Sequence, residues 1–216
     1  MEIYNTEEQQ AEAIKAWWKE NGKAILLGAV LGLGGMFGWR AWNEHQAGQM
    51  EAGAEAYTAI IKQLELQNEK AFPVVDAFIK DQAGSVYADL AGLQLAAAAV
   101  KAGKLDLAAS ELQRVSEGKN DNIKSLATVR LARVLGEQGK AVDGMKKLDS
   151  VKDSAYAAMV AEARGDLLLK QGERDKARAA YQQAADKADG KVNPELQMKL
   201  DELMTLAPAT EEKTNA

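Results

Sequence analysis

The chain has 216 residues, a formal net charge of −5 and no cysteine; hydrophobic residues make up 47% of it and charged residues 27%. The acidic balance argues against a nucleic-acid-binding protein, whose contact surface would be basic. Without cysteine there is no disulfide, no thiolate metal site and no cysteine nucleophile. Because alanine and other good helix formers are frequent, the composition predicts an all-α protein.

One apolar stretch near the start is long enough to cross a membrane. Residues 24–39 carry no charge, with Lys23 before them and Arg40 after them. Extending the stretch to Trp42 gives about 28 Å of helix, close to the thickness of the hydrocarbon core. Arg40 lies near one end, where its side chain can reach the interface. We therefore predict a transmembrane helix at residues 23–42.

Two alternatives for this stretch are a cleaved signal peptide and the buried helix of a soluble core. A signal peptide has a short basic leader and a small-residue cleavage site, whereas this leader contains several glutamates and the exit reads WRAWNEHQ. The tryptophans of the chain all flank the stretch, as belts at both membrane interfaces would require: Trp17, Trp18, Trp39 and Trp42. This pattern favours a retained anchor.

Basic residues close to the span predict its orientation. Lys15, Lys19 and Lys23 precede it, whereas Arg40 is the only Lys or Arg after it until Lys62. Because basic residues are retained in the cytoplasm, residues 1–22 should be cytoplasmic and residues 43–206 exported. In a Gram-negative bacterium the protein would lie in the inner membrane with a periplasmic C-terminal domain.

Glycine spacing within the span indicates a helix-packing face. Gly28 and Gly32 are four residues apart, and so are Gly34 and Gly38. Each pair forms a G-x-x-x-G motif, which allows a second helix to approach closely in a membrane. The alternative is that glycine is simply frequent in membrane helices.

Helical periodicity continues after the anchor, and local signals mark several helix starts. Pro73 suits the first turn of a helix that runs to about Gln82, and Ser85 is a candidate N-cap for the next. Asn193 and Pro194 together predict the start of the final helix. Residues 207–216 have no apolar face, so we expect a disordered tail there.

Three segments of the exported domain align without gaps. They begin at Asp89, Ser125 and Val160, and each contains a glycine that we call its pivot: Gly103, Gly139 and Gly172. The pivots are 36 and 33 residues apart. Glycine is expected where two antiparallel helices meet, because the turn requires a residue that tolerates positive φ.

Residue size around the pivots also repeats. Small residues stand seven positions before and five after each pivot, and large ones nine after: Ala96, Ala132 and Gly165; Ala108, Gly144 and Ala177; Leu112, Leu148 and Tyr181. This pattern resembles the tetratricopeptide repeat, although the usual tryptophan and late proline are missing. The fold class predicted is one transmembrane helix followed by an α-solenoid of hairpins, with residues 54–82 as a further degenerate pair. A plain helical bundle is the alternative.

Residues that carry chemistry are scarce. His45 is the only histidine and lies among polar residues just after the anchor, where we expect it to be solvated. The repeats have no serine with a histidine to serve as its base, and no histidine–carboxylate set for a metal. We therefore predict a binding module that is not an enzyme and has no cofactor, metal or small-molecule substrate.

A row of helical hairpins presents a concave surface suited to peptides or partner helices. Counting back from the pivots places a candidate partner groove on the first helix of each hairpin: Leu93, Ala97, Val129, Arg130, Arg133, Glu162 and Asp166. Arg130 and Arg133 are one helical turn apart and could clamp a partner's carboxylate. Alternatively, both are solvated or paired with acidic residues on neighbouring helices.

Several local motifs resemble one known family over nearly the whole chain. They are MEIY at residues 1–4, ENGKA at 20–24, GWR-W at 38–42, VRLARV at 129–134 and the RGDLLLKQG–RDKAR–AY stretch at 164–181. Together with one span and degenerate repeats, they are similar to the YfgM-type ancillary subunits of the bacterial Sec translocon.

The resemblance implies an inner-membrane protein that associates with the SecYEG channel and with a PpiD-type membrane-anchored periplasmic chaperone. It also implies a role in assisting newly exported client polypeptides and the restraint of a stress-response regulator through the cytoplasmic segment. No catalytic or binding residue is carried over from the family. Two rival functions remain open: a regulator that binds a signalling protein through residues 1–23, with the repeats as its sensor, and a scaffold for cell-envelope or division machinery.

Overall fold

The structure is a computed structural model that describes the backbone of residues 7–189 and 191–205 and the side chains of residues 10–189 and 191–203. Within these ranges the regular structure is helical and no strand occurs, which confirms the all-α prediction. The predicted tail at residues 207–216, the MEIY motif and Pro208 lie outside the described residues. The chain divides into two units, Met1–Ala54 and Glu55–Ala216.

Helix α1 spans Glu7–Gln67 and therefore extends well past both ends of the predicted span at residues 23–42. The reason is that neither proline nor a left-handed residue interrupts the chain before Asn68, whose φ is +51°. A membrane boundary is also not a helix boundary. Within the described residues, α1 contains the one segment that is long and apolar enough to cross a membrane.

The second unit continues as a series of shorter helices. A 3-10 turn at Asn68–Ala71 follows α1, and another lies at Ser154–Tyr156. The α-helices are α2 (Phe72–Asp81), α3 (Val86–Lys101), α4 (Leu105–Ser116), α5 (Asp121–Glu137), α6 (Ala141–Ser150), α7 (Ala157–Lys170), α8 (Arg174–Lys187) and α9 (Pro194–Thr205). The pairs α3/α4, α5/α6 and α7/α8 are the three predicted hairpins.

The predicted helix starts are confirmed by their capping contacts. The Ser85 hydroxyl accepts a hydrogen bond from the Ala88 amide at 3.1 Å, which caps α3. The Asn193 side chain accepts one from the Leu196 amide at 2.7 Å, which caps α9. Pro73 lies in the first turn of α2. Proline is tolerated there because a backbone N–H in the first turn has no acceptor within the helix.

The pivots are confirmed as left-handed residues with φ of +72°, +76° and +78° at Gly103, Gly139 and Gly172. Each ends its helix with the same two backbone bonds. At the first, Lys104 N donates to Ala99 O at 2.8 Å and Gly103 N to Val100 O at 3.0 Å. This is the Schellman motif, which satisfies carbonyls at the helix end and reverses the chain.

The small residues allow close helix packing, as predicted. Ala96, Ala132, Ala108 and Ala177 are all at most 1% exposed. At Gly165 an added Cβ would overlap the Tyr181 ring, which therefore packs directly against the glycine of α7. The hairpins are therefore held in register by paired small and large positions, consistent with a tetratricopeptide-like row.

Asn68 supplies a fourth pivot that the sequence did not reveal. It lies 35 residues before Gly103 (103 − 68), and its positive φ turns the chain from α1 into α2. Ile60 and Leu64 of α1 share one core with Phe72 and Val75 of the next segment and with Leu95 of α3. The expectation of a further helix pair at residues 54–82 therefore agrees with the structure.

Candidate partner-binding surface

The predicted groove residues fall into three different environments. Leu93 and Val129 are 6% and 0% exposed, because the position ten residues before each pivot faces a neighbouring helix. Their side chains are therefore not accessible to a binding partner. Ala97 and Arg130 are exposed. The remaining three residues, Arg133, Glu162 and Asp166, are brought together by the packing of α5 on α7.

We call the group formed by Arg133, Glu162, Asp166, Tyr181 and Lys199 the ionic cluster. The Arg133 Nε atom lies 2.9 Å from Asp166 Oδ2 and its Nη2 atom 3.3 Å from Glu162 Oε1. Lys199 Nζ approaches the same carboxylates from α9, at 2.7 Å from Glu162 Oε1 and 3.0 Å from Asp166 Oδ1. The helices α5, α7 and α9 are thereby linked by side chains of alternating positive and negative charge.

Tyr181 contacts the ionic cluster through both its hydroxyl group and its ring. Its hydroxyl donates a hydrogen bond to Asp166 Oδ1 at 2.9 Å, and Lys199 Nζ lies 5.7 Å from the centre of its ring. Burial, together with the negative charge of Asp166, raises the pKa of the Tyr181 hydroxyl above its usual range. The tyrosine therefore remains a neutral donor.

Lys199 remains charged in this setting. Burial opposes its charge, but hydrogen bonds to Glu162 and Asp166 outweigh that cost, and the net effect raises its pKa. A third carboxylate, that of Glu195 on the same helix, has its Oε1 atom 3.0 Å from Lys199 Nζ. Sequence reasoning missed Lys199, because nothing local marks a lysine that reaches back 37 residues to Glu162.

The ionic cluster bears directly on the proposed arginine clamp. Arg133 already faces two carboxylates of its own chain, as the alternative to the clamp predicts. Its Nε and Nη2 atoms are shielded from solvent and, within the described residues, make no hydrogen bond of good geometry. Arg130 points to solvent and has no side-chain partner in the described part of the chain. That either arginine binds a partner stays a prediction.

A second feature is an open cleft at the other end of the row, which we call the N-terminal cleft. It has a volume of about 500 Å³. Helix α1, the turn after it and the start of α2 form one side, and α3 forms the other. Its lining residues are Leu64, Glu65, Asn68, Glu69, Phe72, Gln94, Ala97, Ala98, Lys101 and Ala102.

In the first unit, the residues predicted to pack in the membrane are open. A methyl group added at Gly28, Gly32, Gly34 or Gly38 would meet nothing within 4 Å in the described part of the chain. The flanking tryptophans are also exposed, from 51% at Trp18 to 69% at Trp39. These faces are free to meet lipid or another helix.

The structure adds little chemistry to this inventory. His45 is exposed and lies within hydrogen-bond distance of Gln49, at 3.0 Å between His45 Nε2 and Gln49 Nε2. Among the described residues no group of three or more histidine, cysteine, aspartate or glutamate side chains is placed to hold a metal ion.

Known proteins resemble this chain along most of its length. A family model described as a tetratricopeptide repeat-like domain matches residues 15–205. A protein of Escherichia coli (strain K12) named "Ancillary SecYEG translocon subunit" is 36% identical over 208 residues, 94% of this chain and 99% of the relative. A protein of the same name from Haemophilus influenzae is 30% identical over 91% of this chain and 97% of its own length.

A more distant relative of the same name, from Neisseria gonorrhoeae, is 28% identical over 94% of this chain and its whole length. No solved structure gives a significant match. The similarity runs through the apolar part of α1 and through the hairpin row alike. The chain therefore belongs to the family of tetratricopeptide repeat-like proteins named ancillary SecYEG translocon subunits.

Proposed function

We propose that this protein is a non-enzymatic adaptor of the Sec protein-export translocon. The observation that carries the proposal is near-full-length similarity to relatives named for the SecYEG translocon. The fold supports it, because a row of hairpins offers an extended surface for other proteins. The apolar part of α1 would hold that surface beside a membrane-embedded channel.

The proposed topology places residues 1–22 in the cytoplasm and the hairpin row in the periplasm. Its support is the excess of lysine before the apolar stretch over basic residues after it. A reporter that is active only in the periplasm, fused after Ala216, should be active in cells. Activity of a cytoplasm-specific reporter at the same position would reverse the orientation.

The proposed partners are the SecYEG channel, a PpiD-type membrane-anchored periplasmic chaperone and exported client polypeptides. The chaperone and the clients rest on the family resemblance alone. The full-length protein should be extracted from membranes in gentle detergent by a C-terminal tag, and the co-purifying proteins identified. Recovery of SecYEG subunits with the chaperone is expected. Recovery of division proteins alone would instead favour the scaffold function.

The regulatory alternative is tested by deleting residues 5–16 from the full-length protein. An adaptor that works through its hairpins should keep its translocon and chaperone contacts after this deletion. Loss of those contacts, with the protein still present in the membrane at its normal level, would favour a regulator acting through the cytoplasmic segment.

A further inference from the structure

Ala97 of α3 occupies a repeat position that carries a long charged side chain in α5 and an acidic one in α7. Six residues before the pivots stand Ala97, Arg133 and Asp166. Arg133 and Asp166 extend into the space between first helices and bind each other there, with 2.9 Å between Arg133 Nε and Asp166 Oδ2. Ala97 offers only a methyl group and is exposed. The N-terminal cleft opens at this residue.

At a second repeated position, the first hairpin again lacks the ion pair that the later hairpins form. Two residues before the pivots stand Lys101, Glu137 and Lys170. Lys170 Nζ lies 2.9 Å from Glu137 Oε2, an ion pair that links α5 to α7. Lys101 makes no such ion pair: Glu137 on the following first helix binds Lys170 instead, and the equivalent residue before Asn68 is Leu66, which is 73% exposed. Within the described residues, the Lys101 side chain makes no ion pair or hydrogen bond.

The lining of the N-terminal cleft combines an apolar floor with separate charges. Leu64 and Phe72 reach it from the core at 6% and 7% exposure, and Ala97 and Ala98 face them from α3. Glu69 is neutralised by Lys104, with 3.0 Å between Oε2 and Nζ. Glu65, like Lys101, has no side-chain partner within the described part of the chain.

We propose that the N-terminal cleft is the docking site for a polypeptide segment of a partner protein. That segment places an apolar side chain on Leu64, Phe72 and Ala97, next to a carboxylate that pairs with Lys101 and a basic group that pairs with Glu65. Both signs of charge lie unpaired around one apolar floor, and a polypeptide supplies all three groups within a few residues. An anionic lipid headgroup could pair with Lys101 but would leave Glu65 without a basic group and in repulsion with the headgroup.

This proposal rests on the proposed function, since it needs a protein partner, and it locates the contact on the surface. The ionic cluster is a weaker candidate for this contact. Its charges are already paired within the chain, so a charged partner would have to displace Lys199. At the N-terminal cleft nothing needs to be displaced.

The test is site-specific photo-crosslinking in the full-length, membrane-embedded protein. A photoactivatable amino acid in place of Gln94, an exposed lining residue, should crosslink to a partner segment, whose sequence is then read by mass spectrometry. We expect an apolar residue flanked within about one helical turn by both an acidic and a basic residue.

Ala97→Arg should strongly reduce that crosslink, because it fills the cleft with the side chain found at the equivalent position of α5. A reduction of about tenfold or more is expected, because the partner's apolar side chain loses its seat. Lys101→Glu should reduce the crosslink several-fold. The matched controls are Ala179→Arg, at an exposed alanine of α8, and Lys119→Glu, at an exposed lysine before α5; neither should change it.

Four results would overturn the proposal: no crosslink from position 94, a crosslink to lipid or to a second copy of this chain, a captured segment without the expected charges, or equal crosslinking by Ala97→Arg and Ala179→Arg. Circular dichroism of each variant verifies that it is folded. Co-purification of SecYEG with the unmodified protein separates the two proposals. If it succeeds while the crosslinking result fails, only the location of the contact is wrong.

Discussion

The two ends of the hairpin row use the same repeat positions for opposite purposes. Toward the C-terminal end, Arg133 and Asp166 occupy the position six residues before their pivots, and together with Lys199 of α9 they fill the space between neighbouring helices with paired charge. At the N-terminal end, Ala97 leaves that space open above an apolar floor. A degenerate repeat can therefore keep its turns and its small–large packing while individual positions change between structural pairing and an accessible surface.

The largest effect is expected at Tyr181, whose side chain joins the core to the ionic cluster and is 1% exposed. Tyr181→Ala should lower the free energy of unfolding by about 3–5 kcal/mol, because it leaves a cavity beside Gly165. Urea unfolding of the full-length protein in detergent, followed by circular dichroism, measures the change. Tyr181→Phe keeps the ring and should cost only about 1 kcal/mol for the lost hydrogen bond to Asp166. Equal losses would contradict the cavity argument.

A direct comparison of the two ends comes from neutralising one carboxylate at each. Glu162→Gln leaves Arg133 and Lys199 with one fewer carboxylate in a site where Glu162 is 8% exposed, so a loss of about 1–3 kcal/mol is expected. Glu65→Gln, at an exposed residue without a side-chain partner in the described region, should stay within about 0.5 kcal/mol. The same unfolding measurement applies to both. If Glu65→Gln were the more harmful, the contrast between the ends would be wrong.

Alkaline pH should lower the free energy of unfolding through Lys199 and Tyr181 of the ionic cluster. The pKa of Lys199 is raised above its ordinary 10.5, so its stabilising charge is fully present below that value and is lost as pH rises through the folded-state pKa. Burial raises the pKa of Tyr181 above its ordinary 10.0, so the unfolded chain ionises first. Both shifts lower the free energy of unfolding above about pH 10.

Unfolding titrations of the unmodified protein and of Tyr181→Phe and Lys199→Met across this range provide the measurement. Each of the two substitutions should make the free energy of unfolding fall less steeply with rising pH. Lys119→Met, at an exposed residue outside the ionic cluster, should leave the decrease as it is. An unchanged slope in both cluster variants would show that the decrease arises elsewhere.

The smallest effect on stability is expected at Leu66, which is 73% exposed and follows the cleft-lining residues Leu64 and Glu65 in the chain. Leu66→Asp should change the free energy of unfolding by no more than about 0.5 kcal/mol. It should nevertheless weaken crosslinking from position 94, because it adds a carboxylate close to the place where the partner's carboxylate pairs with Lys101. Val142→Asp on α6, at a residue 63% exposed, is the matched control.

Much of the fold was predictable because its signals are local. A glycine that must adopt positive φ, such as Gly103, and a capping side chain such as Ser85 act within a few residues of themselves. The small residues facing large ones, such as Gly165 opposite Tyr181, were found because their spacing repeats in the sequence. Asn68 was missed because asparagine adopts positive φ only in some settings, and its own neighbourhood carries no repeat pattern.

The candidate surface was predicted less well, for a different reason. Counting from the pivots correctly placed Arg133, Glu162 and Asp166 on first helices, but it could not show that they meet each other or that Lys199 joins them. Counting also placed Leu93 and Val129 in the groove, because both stand ten residues before their pivots. In the structure their side chains are buried against neighbouring helices. Whether a side chain on a first helix faces a partner or the next helix depends on where that next helix lies.

By itself, the sequence determined the helical class, the apolar stretch of α1, the hairpin turns and the period of the repeat, since each follows from backbone conformation or from burial over a few turns. The tertiary structure alone decided which charges are paired and which are available. An ion pair such as Lys199 with Glu162 joins residues 37 apart, and the N-terminal cleft exists because Ala97 lies opposite Leu64 and Phe72. Those distances are set by how one hairpin packs on the next.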